Sequence, residues 1–185
     1  KNIKRLIAYS SIGHIGYALA GVASASNDGI QSSVIYLTIY IVMNLGFFSC
    51  LLMLRRNDNY YESIDDLSGL SKNHPILSFS LLVILFSLAG IPPLAGFFAK
   101  FYIFKAVIEQ SMYFLAIVGL LSTVIAAFYY LRIIKVIYFD EQREKYDTDH
   151  SNWLKVSLTL STLLILLYFI FPSKLLEIVS SISVI

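Results

Sequence analysis

A lysine inside a long apolar stretch is the most unusual chemical feature of this 185-residue sequence. Lys100 lies seven residues after Pro93 and four after Gly96, so at helical spacing all three share one face. A charge in the middle of a bilayer costs about 2.5–3.5 kcal/mol on insertion scales, and such residues commonly mark ion pathways. An amine in apolar surroundings also exchanges protons closer to neutral pH than one in water. We therefore predict that Lys100 transfers protons within a membrane.

Two prolines and two glycines near this lysine predict an interruption in its helix. Pro92 and Pro93 each lack an N–H, and their rings clash with the carbonyls four residues earlier, those of Leu88 and Ala89. Carbonyls released in this way are tolerated at membrane depth only where they are buried in protein or line a wet cavity. A discontinuous helix with a titratable lysine is typical of ion and proton carriers. The residues of the predicted break are Gly90, Pro92, Pro93 and Gly96.

A second interpretation of Lys100 is a snorkelling side chain. The crossing could end near Phe97, with the lysine stem along apolar surface and its ammonium in water. Two observations weigh against this interpretation. Residues 101–107 stay apolar except for Lys105, and Lys100 would lie on the side of the membrane that carries few positive charges. The sequence alone leaves both interpretations open.

Other polar side chains fall inside apolar stretches and are candidates for a proton path. His14 suits a relay because imidazole exchanges protons near neutral pH, but a buried, hydrogen-bonded structural histidine is an alternative that stays open. The stripe of Gly119, Ser122, Ala126 and Tyr129 indicates first a close packing face between helices, and only secondly contacts for a water wire. The candidate path residues are Ser10, His14, Tyr17, Ser122, Tyr129 and Tyr130.

The composition predicts an integral membrane protein. Hydrophobic residues make up 57% of the chain and charged residues 14%, against about 45–50% and 25% in soluble domains. A bilayer core of roughly 30 Å requires about 20 helical residues, and five stretches reach that length. We therefore predict an all-α membrane protein of about five transmembrane helices, one of them discontinuous. The predicted spans are 6–25, 30–54, 75–108 (the broken helix), 112–139 and 153–171, followed by a tail at 172–185.

The distribution of charge between the loops predicts the orientation. The chain divides into the first four predicted helices (1–139), a loop (140–152), and the last helix with its tail (153–185). With five crossings, the loop 140–152 and most basic residues fall on the same side of the membrane as the N-terminus. Basic residues in short loops favour the cytoplasmic or matrix side, so the C-terminus is predicted to lie on the outer side. The basic residues assigned to the N-terminal side are Lys1, Lys4, Arg5, Arg55, Arg56, Lys72, Arg132, Lys135, Arg143, Lys145 and Lys155.

Several classes of site are excluded by the sequence. Cys50 is the only cysteine, which rules out a disulfide within the chain and an iron–sulfur cluster held by its cysteines. No dinucleotide-binding, phosphate-binding or zinc-protease motif occurs. The net charge of +2 is small and the basic residues flank apolar spans, so nothing indicates nucleic-acid binding. We expect no cofactor and no metal in this chain.

Two long motifs resemble those of a known family, the antiporter-like subunits of respiratory complex I. Residues 2–17, NIKRLIAYSSIGHIGY, are similar to one segment of that family. Residues 87–104, SLAGIPPLAGFFAKFYIF, resemble its broken-helix signature, most closely that of the subunit N branch, and Tyr129-Tyr130-Leu131-Arg132 also fits. The resemblance covers nearly the whole chain. It implies the second half of such a subunit, helices ten to fourteen, with Lys100 as the lysine of the broken twelfth helix and only part of a proton path present.

The resemblance also implies a function, proton translocation in the membrane arm of NADH:quinone oxidoreductase by a translocase subunit without a catalytic centre of its own. NAD, FMN, iron–sulfur clusters and quinone are then expected in partner subunits. Other membrane-arm subunits, the lipid bilayer and protons are the expected partners, in a bacterial or mitochondrial inner membrane. Two alternatives are a subunit of a multi-subunit cation/proton antiporter and a truncated fragment that does not pump. The run Ile91-Pro92-Pro93-Leu94 followed by Lys100-Phe101-Tyr102 favours the first function.

Overall fold

The structure is a computed structural model, and it describes residues 2–56, 59–60, 62–141 and 151–182. Most of these residues are helical, which confirms the prediction of a helical protein. A short antiparallel strand pair, β1 (Arg55–Arg56) and β2 (Asn59–Tyr60), and two 3-10 turns, Ile64–Leu67 and Tyr168–Ile170, complete the regular structure. The helices are α1 (Ile3–Ala23), α2 (Asn27–Met53), α3 (Leu70–Asn73), α4 (Pro75–Ala89), α5 (Ala95–Glu109), α6 (Tyr113–Phe139), α7 (Asn152–Leu167) and α8 (Pro172–Ile182).

Four helical segments of the described chain are long and apolar enough to cross a membrane: α1, α2, α6, and α7 together with the turn that follows it. They coincide with four of the predicted spans and define a multi-pass membrane protein. Both α1 and α2 begin before their apolar stretches do. The side chains of Asn2 and Ser26 cap these helices by accepting hydrogen bonds from the backbone N–H groups of Arg5 and Gly29. A prediction from hydrophobicity misses such polar first turns.

The remaining predicted span, 75–108, forms two helices rather than one. Helices α4 and α5 have 15 residues each, which corresponds to about 22 Å per helix. Neither helix alone reaches across a hydrocarbon core of roughly 30 Å. In the predicted tail, α8 extends to Ile182. Residues 142–150 of the predicted loop 140–152, and residues 183–185 of the tail, lie outside the described residues.

Helix α2 lies at the centre of the bundle and packs against α1, α4, α5, α7 and α8. Its side chains Ile35, Met43 and Phe47 are fully buried. By contrast, the outward faces of α1 and α6 carry large apolar side chains, among them Leu19 and Phe114, which are 60% and 81% exposed. Apolar surfaces of this extent are typical of helices that face lipid or another protein element.

The start of α1 is tied to the loop that precedes the first 3-10 turn. The backbone N–H of Ile3 donates to the carbonyl of Glu62 at 2.7 Å. The side chains of Lys4 and Asn2 donate to the Glu62 carboxylate at 2.7 and 2.6 Å. The hydrogen bond from Lys4, then that from Asn2, then the charge of Lys4 lower the pKa of Glu62. These contacts fix the start of α1 to the segment that connects α2 to α4, at one end of the bundle.

Candidate functional site

The helix break is the non-helical segment 90–94 between α4 and α5. At Gly90, φ is +86°, a left-handed conformation that glycine adopts without strain. The N–H groups of Gly90 and Ile91 both return to the carbonyl of Phe86, at 3.1 and 3.0 Å, and close the end of α4. Pro92 and Pro93 follow within the segment. The last carbonyls of α4 are therefore left without the N–H partners that a continuous helix would provide.

Lys100 supplies partners for these carbonyls. Its Nζ donates to the carbonyl oxygens of Leu88 and Ala89 at 2.9 and 3.2 Å, and the residue is only 5% exposed. These are the two carbonyls that lie four residues before Pro92 and Pro93. Within the described residues, no carboxylate pairs with Lys100. A buried ammonium turned towards the break is the opposite of what snorkelling requires.

Two glycines make room for this arrangement. A Cβ at Gly90 would lie 3.3 Å from Nζ of Lys100 and 3.1 Å from its Cδ. A Cβ at Gly96 would overlap the backbone carbonyl of Ser87, because the first turn of α5 packs directly on the last turn of α4. The N–H of Gly96 also donates to Ser87 Oγ at 2.9 Å, and Ser87 Oγ contacts Met43 Sδ at 3.0 Å. The two half-helices are thus held side by side at the break.

His14 lies at the centre of a second polar group, between α1, α2 and α6. Its Nδ1 is 2.6 Å from the hydroxyl of Tyr36, and its Nε2 is 3.0 Å from that of Tyr130. The ring also stacks on Tyr40 with 4.6 Å between centroids. The imidazole is 2% exposed. In a neutral imidazole one nitrogen donates and the other accepts, so each tautomer has a hydroxyl partner on both sides.

The hydrogen bonds of His14 continue into a chain of hydroxyls. Ser10 Oγ hydrogen-bonds to the hydroxyl of Tyr130, and the hydroxyl of Tyr129 donates to Ser10 Oγ at 3.0 Å. The order of the chain is Tyr129, Ser10, Tyr130, His14 and Tyr36. Every link of this chain can both donate and accept a hydrogen bond, so the chain can conduct a proton as well as stabilise the packing.

Tyr17 lies between the histidine and the lysine. Its ring meets the ring of His14 edge to face, with 6.0 Å between centroids, and Nζ of Lys100 lies 5.2 Å from its ring centroid. A cation at this distance from an aromatic face is attracted by the ring. The Tyr17 hydroxyl reaches α6, where it lies 2.9 Å from Ser122 Oγ and 3.0 Å from Thr123 Oγ1.

Two cavities border this group of residues. The first, named here the histidine cavity, measures about 300 Å³ and lies between α1 and α6, where Ser10, His14, Tyr17, Ser122 and Tyr129 line it. The second, the lysine cavity, measures about 600 Å³ and lies between α5 and α6, where Gly90, Lys100, Phe104 and Thr123 line it. Within the described residues no cluster of three His, Cys, Asp or Glu side chains could hold a metal ion.

The structure brings together all seven side chains that the sequence analysis named for proton transfer. The ammonium of Lys100 lies over the ring of Tyr17, and the hydroxyl of Tyr17 is hydrogen-bonded to that of Ser122. The other four side chains are linked by hydrogen bonds in what we call the hydroxyl–histidine chain: Tyr129, Ser10, Tyr130 and His14. Sequence reasoning missed Tyr36, Tyr40 and Thr123. Tyr36 and Tyr40 are four residues apart and therefore share one face of α2, and Thr123 adjoins Ser122. Those spacings were a usable signal.

These features define a multi-pass membrane protein with ionisable groups in its interior at a helix break. Residues 1–126 match the family described as the transmembrane region of NADH:quinone oxidoreductases and Mrp antiporters. The chain belongs to this family, which confirms the relationship predicted from residues 2–17 and 87–104.

Similar proteins support the assignment. The chain is 84% identical to NADH-quinone oxidoreductase subunit N of Pelagibacter ubique over 184 residues, which cover the whole chain and 39% of that relative. Respiratory complex I of Thermus thermophilus contains a chain with a TM-score of 0.81 at 28% identity, over 96% of this chain and 40% of that one. A chain of the Mrp complex of a Dietzia species has a TM-score of 0.83 at 20% identity, which shows a shared fold. The chain thus spans about two fifths of the length of the curated relative.

Proposed function

We propose that this chain is part of a proton-translocating membrane-arm subunit of an NADH:quinone oxidoreductase, and that Lys100 takes up and releases the protons. Two relatives, 84% and 50% identical to this chain, are named as subunits of that enzyme. The observation that carries the proposal is the position of Lys100. The ammonium is buried and bonded to the carbonyls of Leu88 and Ala89 at a helix break, and unlike a fixed hydrogen-bond donor it can also release and rebind a proton.

Both protonation states of Lys100 have partners at the break. The ammonium donates to two carbonyl oxygens and lies against the ring of Tyr17, so its charge meets three groups of negative partial charge. After loss of a proton, the amine still has two N–H groups for the same two carbonyls. The site can therefore be loaded and emptied without rearrangement of the backbone, which favours a transfer group over a fixed charge.

The hydroxyl–histidine chain provides the approach to Lys100 in this proposal. Tyr129, Ser10, Tyr130 and His14 are linked without interruption. A proton that binds at one end of such a chain releases a different proton at the other end, so no group has to move far. His14 is the only member of the four whose ordinary titration range lies near neutral pH, which suits a relay.

The broken helix is proposed to cross the membrane as one unit. Helices α4 and α5 together supply the length that neither has alone. Counted with the four long segments, this unit gives five crossings and puts the two ends of the chain on opposite sides. The distribution of basic residues then favours the cytoplasmic or matrix side for the N-terminal end and the outer side for the C-terminal end.

No redox chemistry is assigned to this chain. In the proposal, NAD, FMN, iron–sulfur clusters and quinone belong to partner subunits, and quinone reduction there supplies the energy for proton transfer here. The chain contributes buried groups that bind and pass protons, and surfaces that contact lipid and the other membrane-arm subunits. Its place is a bacterial or mitochondrial inner membrane.

A second candidate function is cation/proton exchange in a multi-subunit antiporter, because the family that residues 1–126 match also includes Mrp antiporters. The two functions differ in their driving force. Exchange requires a sodium or potassium gradient and no quinone, whereas translocation in an oxidoreductase requires electron transfer and no particular cation. Proton movement in membrane vesicles, measured with each driving force in turn, separates the two.

The proposal for Lys100 is tested by Lys100→Met in the full-length protein within its membrane complex. Methionine fills similar space but cannot carry a proton. We expect normal assembly with quinone-coupled proton translocation reduced about 100-fold or more, the range ascribed to positioned acid–base groups. The matched control is Lys174→Met, the same change at an exposed lysine of α8. Unchanged translocation in Lys100→Met would show that the lysine only stabilises the helix break.

A further inference from the structure

A cluster of three hydroxyls separates the histidine cavity from the lysine cavity. Ser122 lines the first cavity and Thr123 the second, although the two residues are neighbours on α6. The hydroxyl of Tyr17, from α1, lies between them at 2.9 and 3.0 Å. Tyr17 itself lines the histidine cavity, so its hydroxyl reaches the lysine cavity through Thr123. The contacts therefore connect one cavity to the other through side-chain oxygens alone.

The three hydroxyls of the cluster are linked in the order Thr123, Tyr17 and Ser122. Thr123 Oγ1 donates to the hydroxyl of Tyr17, which shares a hydrogen bond with Ser122 Oγ. Ser122 Oγ in turn donates to the backbone carbonyl of Gly119 at 2.7 Å. Three hydroxyls thus follow one another, each with an acceptor. Hydroxyl protons rotate about their C–O bonds, so the same oxygens can also support the opposite order.

We infer that the Tyr17–Ser122–Thr123 cluster passes protons between the two cavities and that Thr123 is its contact with the lysine side. The inference rests on the proposed function of Lys100. A proton that binds Thr123 Oγ1 displaces the threonine proton to Tyr17, the Tyr17 proton moves to Ser122, and the Ser122 proton leaves into the histidine cavity. Three O–H bonds form and three break. Rotation of the hydroxyls prepares transfer in the other direction.

Both cavities are large enough to hold several water molecules between the cluster and the proposed proton-transfer groups on either side. Water occupies about 30 Å³ per molecule in the liquid, and the cavities measure about 300 and 600 Å³. Water in the lysine cavity would link Thr123 to Lys100, and water in the histidine cavity would link Ser122 to His14 and Ser10.

A structural role for Thr123 is the competing explanation. Threonine in a helix often bonds to the carbonyl four residues earlier, and Thr123 Oγ1 lies 3.1 Å from the carbonyl of Gly119. Thr162 of α7 has such a bond, at 2.8 Å to the carbonyl of Leu158. What Thr123 has in addition is a bond to a hydroxyl on another helix, at the border between two cavities.

The test compares three variants of the full-length protein in its complex: Thr123→Val, Thr123→Ser and Thr162→Val. Valine keeps the shape of threonine but lacks the hydroxyl, and serine keeps the hydroxyl but lacks the methyl group. We expect quinone-coupled proton translocation to fall about tenfold in Thr123→Val and to stay near the parental rate in the other two. Measurement in H₂O and D₂O should give a solvent isotope effect that changes in Thr123→Val alone.

Each result has one meaning. Equal losses in Thr123→Val and Thr123→Ser, or an isotope effect that no variant alters, would overturn the inference and leave Thr123 a packing residue. Full activity of Thr123→Val beside an inactive Lys100→Met would reject the hydroxyl path but keep the proposed function. Full activity of both variants would reject the proposed function, and the inference with it. Abundance of the assembled complex is measured for each variant, so that a loss of assembly is not counted as a loss of transfer.

Discussion

His14 has hydroxyl partners at both ring nitrogens, and this arrangement is compatible with a relay and with a structural histidine. Tyr36 and Tyr130 fix the ring from two sides, and Tyr40 stacks on its face. A structural histidine needs only these hydrogen bonds. A relay also needs to bind and release a proton, which the amide of glutamine cannot do. Glutamine, which forms hydrogen bonds but does not titrate, can therefore replace a structural histidine but cannot replace a relay.

The prediction at the residue scale is that His14→Gln assembles but translocates protons about tenfold more slowly or worse, because the relay is interrupted. The measurement is proton uptake by membrane vesicles during quinone reduction, normalised to the amount of assembled complex. His74→Gln is the matched control, since His74 lies outside the hydroxyl–histidine chain, before the first residue of α4. A fully active His14→Gln would assign the histidine to packing and remove it from the path.

At the scale of the elements, the essential feature is the contact between the end of α4 and the start of α5. Gly96 lies against the carbonyl of Ser87 and donates its N–H to the hydroxyl of the same residue. This contact sets the position of α5, and therefore of Lys100, relative to the carbonyls of Leu88 and Ala89. The position of the Lys100 ammonium therefore depends on Gly96, a residue without a side chain.

The prediction at this scale is that Gly96→Ala destabilises the protein by about 1–3 kcal/mol, the usual cost of overpacking a close contact. The added Cβ overlaps backbone, which cannot move aside as a side chain can. Gly16→Ala is the control, because within the described residues a Cβ at Gly16 meets nothing within 4 Å, and alanine in a helix is favoured over glycine by roughly 1 kcal/mol. Thermal unfolding of the purified protein in detergent measures both. A Gly96→Ala variant as stable as the parent would mean that the contact between α4 and α5 has room for a methyl group.

At the scale of the whole molecule, the sequence predicts features that depend on local chemistry and misses those that depend on packing. The sequence predicts a helix break at Gly90, Pro92, Pro93 and Gly96 because proline lacks an N–H wherever it stands, and in the structure α4 ends at Ala89 and α5 begins at Ala95. The carbonyls that Lys100 contacts follow from the same rule. Tyr36 and Thr123 were missed because their roles depend on how α2 and α6 face α1, and helical periodicity alone does not determine which helices are neighbours.

The number of crossings depends on how α4 and α5 lie in the membrane. If α4 and α5 cross as one unit, the residues before α4 and after α5 lie on opposite sides of the membrane. If instead the chain enters with α4 and returns with α5, both lie on the same side. Helix lengths favour the single crossing, because a 15-residue helix of about 22 Å leaves its far end inside a core of roughly 30 Å.

We predict that cysteines at Asp65 and Gln110, introduced one at a time as Asp65→Cys and Gln110→Cys, react with a membrane-impermeant maleimide from opposite sides. Both positions are exposed, and the native Cys50 is fully buried, so it should add no label. Basic residues favour the N-terminal side as cytoplasmic, so Gln110→Cys should label in right-side-out vesicles and Asp65→Cys only in inverted ones. Labelling of both from one side would mean that the chain re-enters at the break. Lys100 would then lie in a hairpin open to that side, and a path across the membrane would have to run through other parts of the protein.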